Sequence, residues 1–187
     1  MRFINISFLI FLLAATASTH NPLAAEEEKW HLIYEEDGIN IHRRVMEESS
    51  FLEFKAEGNL RGTVSEYLSV LLDIDEHPNW VPRCLEARNI DKINDRENII
   101  YAVFAGVWPV ADRDYAARMS ITSKPDIQTV RIDIERVDLP DVLPVSTDRV
   151  HIPYLKSCWI LEQINQELTR VELRAYADPG GWIPAWV

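Results

Sequence analysis

A chain of 187 residues, 47% apolar and 26% charged, has the size and composition of one globular domain with a short prefix. Its formal charge of −11 repels a phosphate backbone, so nucleic acid is not an expected partner. The same charge argues against attachment to anionic lipid by electrostatics alone, so any membrane contact has to be local and apolar.

The prefix reads as an export signal. Arg2 supplies the positive end, and Phe8 to Ala15 form an apolar run too short to span a bilayer comfortably. Ala15-Thr16-Ala17 and Leu23-Ala24-Ala25 are candidate cleavage sites, and an uncleaved anchor is the alternative. Residues 1–25 are therefore set apart from a domain at 26–187, and the expected location is periplasmic or secreted. Losing Arg2 takes the formal charge from −11 to −12. Export permits a disulfide between Cys84 and Cys158, but both fall in strand-like runs and read more simply as buried small residues.

Along the domain, Glu26 to Tyr34 reads as a short helical lead-in anchored by Trp30. Asp37-Gly38 is a turn, after which Ile39 to Val45 alternate as a half-buried strand with His42 on the polar side. Phe51 to Leu60 alternate again, giving a hairpin around Glu47 to Ser50. Thr63 and Glu66 form a capping box. The helix they open places Val64, Tyr67, Leu68, Leu71 and Leu72 on one face and stops near Asp75. His77-Pro78-Asn79-Trp80 reads as a turn with an aromatic plug.

Beyond Cys84 the pattern is β almost to the end. Cys84–Ile93 pairs with Asn98–Ala105, and Arg113–Thr122 pairs with Gln128–Val137 around Lys124-Pro125-Asp126. An irregular Pro-containing segment, Leu139 to Val145, precedes two last strands, Asp148–Glu162 and Thr169–Ala177. The sum is an α+β domain: an antiparallel meander of about seven or eight strands with one clear helix.

The stretch from Ile99 to Tyr115 stands out. A bare hairpin would turn on Asn-Gly or Asp-Gly, whereas this one carries Trp108-Pro109 at its tip and Asp112-Arg113-Asp114 at its base. The tip suggests a loop that touches something, and the three charged residues suggest ion pairs that hold its base. On the strand that follows, Asp114, Ala116, Arg118 and Ser120 share one face, and Arg113, Tyr115, Ala117, Met119 and Ile121 share the other. Arg118 reads two ways: a snorkelling surface cation, or a cation in a cavity that needs a partner, with Tyr101 the nearest polar candidate.

Catalytic signatures are missing. There is no Gly-rich phosphate loop, no G-x-S-x-G elbow, no H-E-x-x-H and no paired C-x-x-C. The five histidines share no metal-ligand spacing, so no metal and no cofactor is expected, and the chain does not read as an enzyme.

With these parts in order, the sequence resembles the START (steroidogenic acute regulatory protein-related lipid-transfer) domain in its bacterial exported form, from Trp30 to Val187. The residues that carry the resemblance are Asp37-Gly38-Ile39, Phe54-Lys55-Ala56, the capped helix ending in Asp73 and His77-Pro78-Asn79-Trp80. Trp108-Pro109-Val110 through Tyr115, and Asp178-Pro179-Gly180-Gly181-Trp182-Ile183-Pro184, complete them. The resemblance implies a helix-grip fold, a curved antiparallel sheet around a C-terminal helix with a hydrophobic tunnel between them. It implies a bound lipid or sterol-like ligand, and a gate formed by the Gly106 to Asp112 loop with transient membrane contact through Trp108. It also aligns Arg118 with a tunnel-facing arginine that pairs with a carboxylate in some members, although here the facing strand offers Tyr101 or Ile100. The expected ligand-binding set is Arg118, Tyr101, Trp108, Val103 and Tyr115.

The family's closing helix has no counterpart before Val187, so an incomplete domain with an exposed apolar sheet face is expected. The leading functional reading is a carrier or sensor of a hydrophobic molecule. Two alternatives remain open: an enzyme such as a cyclase or hydrolase on the same scaffold, with Glu172 and Arg174 as further polar candidates, and a protein-interaction module.

Overall fold

The computed structural model describes residues 29–46, 52–124, 128–139, 148–181 and 183. Ten strands make one sheet. They are β1 (His31–Glu36), β2 (Ile39–Val45), β3 (Leu52–Arg61), β4 (Cys84–Asn94), β5 (Glu97–Phe104), β6 (Asp112–Lys124), β7 (Thr129–Arg136), β8 (Arg149–His151), β9 (Tyr154–Asn165) and β10 (Leu168–Asp178). Their spatial order is β1-β2-β3-β10-β9-β7-β6-β5-β4, with β8 beside β6. All neighbours are antiparallel except β6 and β8, which run parallel.

Three expectations change. Residues 31–36 form a strand rather than the end of a helical lead-in. The cause is the turn that follows: Asp37 (φ 51°) and Gly38 (φ 78°) are both left-handed, the geometry of the tight hairpin turns whose twist matches paired strands. It folds β1 back on β2 from His31↔Arg43 to Glu36↔Ile39. Second, the run Asp148–Glu162 is broken near Pro153, which carries no N–H for a ladder, into β8 and β9. Third, β3 pairs with β2 as the expected hairpin and takes β10 as its partner on the other side, and β1 together with the split of β8 from β9 brings the sheet to ten strands among the described residues. The Glu47–Ser50 and Pro125 turns and most of Leu139–Val145 lie outside the described residues.

The helix α1 (Val64–Leu71) begins at the expected box: Glu66 N–H donates to Thr63 Oγ1 at 3.2 Å, and Thr63 N–H donates to Glu66 Oε2 at 2.7 Å. Its entry is fixed to the far end of the sheet. Gly62 N–H donates to the Glu167 carbonyl (2.8 Å), Thr169 Oγ1 donates to the Gly62 carbonyl (2.8 Å), and Val64 N–H donates to Gln163 Oε1 (2.8 Å). The helix ends at Leu71, earlier than Asp75, and a 3-10 turn (Ile74–Glu76) and a one-turn helix α2 (His77–Trp80) follow.

Strand alternation then sorts the sheet into two faces. The registers Ile100↔Ala117, Met119↔Ile134, Ile132↔Trp159, Leu161↔Val171 and Leu173↔Ala56 put these residues on one side. Leu71 and Ile74 pack there, with Val64, Tyr67, Leu68 and Leu72 beside them. The same registers send His42, Glu53, Lys55, Glu57, Arg131, Asp133, Glu172 and Arg174 to the other side, where they form ion pairs such as Lys55–Glu57 at 2.8 Å and Arg174–Glu172 at 2.6 Å. One face is thus apolar and the other is largely a charge ladder.

Candidate functional site

The apolar face continues well beyond the ground α1 occupies. It reaches Ala87 and Cys84 on β4 at one end and Ile41 and Ala56 on β2 and β3 at the other, with half-buried Trp159 and Leu173 between. Tyr115 lies on this face, its ring stacked on Phe104 at 6.0 Å. Its phenol is pushed well above the ordinary value by burial, and the nearby Cys84 thiol adds to the effect. Both cysteines are free and buried, which leaves the disulfide option unused.

Three of the five expected ligand residues are elsewhere. The pairs Tyr101↔Ala116, Val103↔Asp114 and Ile99↔Arg118 place Tyr101, Val103 and Arg118 on the opposite face from Tyr115 and Met119. Arg118 is half exposed and pairs with Glu97 at 3.0 Å, so it is the snorkelling surface cation and not a cavity arginine. The two faces of β6 were separable in the sequence; the side that faces the apolar cluster was the one carrying Tyr115, Ala117 and Met119. Tyr101 and Val103 are buried under a different cover, at 1% and 0% exposure.

That cover is a polar cluster. Tyr101 Oη donates to Asp114 Oδ2 at 2.8 Å, and His151 Nδ1 meets Asp114 Oδ1. Arg149 Nη1 donates to Tyr101 Oη at 3.2 Å, and the Arg88 guanidinium lies 5.0 Å from the centre of the Tyr101 ring. Burial and the Asp114 bond push the Tyr101 phenol up to about 12, against the pull of Arg149. Asp114 itself is fully buried, and a buried carboxylate requires such partners. Nothing in the sequence announces this cluster, because Arg149 reaches Tyr101, and His151 reaches Asp114, only through the parallel β8 pairing.

The Trp108 loop is clamped at its base. Asp112 Oδ1 accepts from Gly106 N–H at 2.8 Å, Arg83 Nε donates to the Ala105 carbonyl at 2.9 Å, and Arg83 also meets the Gly106 carbonyl. A Cβ at Gly106 would stand 2.1 Å from the Val110 carbonyl oxygen, so only glycine fits this crossing. The expected ion pairs of Asp112 and Asp114 with Arg113 are replaced by these longer-reaching contacts. Above the clamp, Trp108 is 86% exposed and Val107 is also exposed. The Trp108–Pro109 peptide is cis.

His77 is a half-buried residue of the helical segment. Its Nε2 lies 3.0 Å from the Leu71 carbonyl and its ring meets Trp80 edge-on at 5.1 Å. Among the described residues no cluster of His, Cys, Asp or Glu has metal-binding geometry, and no helix is long and apolar enough to cross a membrane.

Against known proteins, the START domain family model matches residues 11–187, beginning inside the segment read as an export signal. The mouse phosphatidylcholine transfer protein is 24% identical over 160 residues, covering 84% of this chain and 74% of that protein. A StAR-related lipid transfer protein from Xanthomonas axonopodis superposes with a TM-score of 0.74 at 29% identity, over 84% of this chain and 86% of the other. Human STARD10 superposes with a TM-score of 0.73 at 20% identity, over 87% of this chain and 67% of the other. An open, mostly antiparallel sheet with few helices fits the same grouping, and with the family model spanning most of its length this chain belongs to the START domain family.

Proposed function

We propose that this chain binds one lipid against the apolar sheet face and carries it to or from a membrane. The observation that carries the reading is the mismatch in extent: the apolar face runs from Cys84 to Ile41, while the helical segment packs on only part of it. Covering the part of that face still open to water, where Tyr115, Trp159 and Leu173 are only half-buried, with an acyl chain stabilises the complex by roughly 25 cal/mol per Å² removed from water. Tyr115, on the same face, brings a hydroxyl able to meet a polar group of the ligand. The names of the mouse phosphatidylcholine transfer protein and the Xanthomonas protein support a lipid as the ligand.

The finer parts of the proposal concern place and route. Trp108 is the membrane-touching tip, since an exposed indole suits the headgroup level of a bilayer. The chain acts outside the cytoplasm, a reading supported by the apolar prefix. It is a carrier and not an enzyme: the acid-base groups that do cluster, Tyr101, Asp114 and His151, lie on the face turned away from Tyr115. Transfer of a fluorescent lipid between two vesicle populations tests the proposal. Catalysed transfer with no chemical change in the lipid supports it; a turned-over product favours an enzyme.

A further inference from the structure

The start of β6 is a run of three charged residues, and each one ties down a different element. Asp112 holds Gly106 in the Trp108 loop, and Asp114 holds Tyr101 on β5 and His151 on β8. Arg113, between them, faces the other way and is 7% exposed. Its guanidinium donates to three carbonyls. One belongs to Ala111, at the end of the Trp108 loop; the others belong to Pro179 (3.5 Å) and Gly180 (3.3 Å), where the chain leaves β10.

The turn after β10 is built to stay where it is. Gly180 and Gly181 have φ of 63° and 65°, and Gly180 N–H donates to Asp178 Oδ1 at 2.8 Å. A Cβ on Gly180 would stand 2.8 Å from Pro153 Cδ, and one on Gly181 would stand 3.1 Å from Val150 Cγ2. The turn therefore rests on the β8–β9 corner, and Arg113 is its link to the loop. Burial draws the Arg113 pKa down while Asp112 holds it up, and a buried cation cannot give up carbonyl partners without cost.

We propose that Arg113 is a positioning residue that couples the Trp108 loop to the turn at 179–181, so that lifting the loop loosens the path by which the chain leaves β10. This rests on the reading of the loop as the moving part of a lipid carrier. If the loop lifts, the guanidinium loses the Ala111 carbonyl and is left against Pro179 and Gly180 alone. Arg83 makes a useful contrast, because it clamps the same loop at Ala105 and Gly106 from β4's side.

The test is hydrogen exchange of the full chain, read at 105–111 and 179–181, with lipid transfer measured in parallel. Arg113→Gln is expected to speed exchange about tenfold in both segments, and Arg83→Gln in the loop alone. Gly106→Ala keeps the arginine and displaces the loop; it is expected to speed exchange at 179–181 in the wild-type background and to add nothing in Arg113→Lys or Arg113→Gln. The single Gly106→Ala variant can be read even where an Arg113 variant folds poorly. Faster exchange confined to 105–111 in both Arg113→Gln and Gly106→Ala overturns the coupling. Coupled exchange with no lipid transfer by the wild-type chain upholds the link and overturns the carrier reading.

Discussion

Tyr101 donates its hydroxyl to Asp114 at 2.8 Å across neighbouring strands, with both side chains at or below 1% exposure. This bond lies on the face of the sheet opposite Tyr115 and Met119, away from the apolar face proposed to hold the lipid. Tyr101→Phe removes one bond and is expected to cost about 1 kcal/mol, and Asp114→Ala, which strips the partner from both Tyr101 and His151, about 3 kcal/mol. Urea midpoints check the order. Equal and negligible losses would show that the cluster does not hold β8 to β6.

Arg118 provides the contrasting case. Its bond to Glu97 is at the surface, and exposed pairs of this kind contribute roughly 0–1 kcal/mol. Arg118→Ala is expected to leave both stability and lipid binding unchanged. A loss of bound lipid would return Arg118 to the site.

Trp108→Ala separates gate from fold. At 86% exposure the indole contributes little packing, so stability is expected to hold within about 0.5 kcal/mol. Lipid transfer between vesicles is expected to slow several-fold, with equilibrium binding nearly retained. Unchanged transfer would remove the membrane role of the tip.

His77 sets a pH dependence. Burial holds its imidazole below the ordinary value of 6.5, and the Leu71 carbonyl only partly offsets this. As pH falls through 6.5 the unfolded chain therefore takes up a proton that the folded chain resists. The stability tied to this residue is complete above that pH and is lost below it, until the folded imidazole also protonates. Denaturant midpoints for wild type should fall more steeply as pH drops below 6.5 than those of His77→Gln. Identical slopes would contradict the assignment.

Much of this architecture is local chemistry and therefore readable. The Thr63–Glu66 box, the Asp37-Gly38 turn and the alternation along β2, β3, β6 and β7 each follow from a few neighbouring residues. The site was less so. Alternation separates Arg118 from Met119, but only cross-strand registers and the seat of α1 say which side is covered. His151, Arg149 and the Arg113 contacts join segments more than thirty residues apart. No periodicity encodes such meetings. The lead-in near Tyr34 went the wrong way because a hairpin turn a few residues later overrode a helix-compatible composition.

The most direct test of the central claim is native mass spectrometry of the chain after incubation with phosphatidylcholine vesicles and separation from them. The account predicts a complex of one intact lipid per chain, kept in Arg118→Ala and formed more slowly in Trp108→Ala. A folded chain that leaves the vesicles with no lipid bound would contradict it.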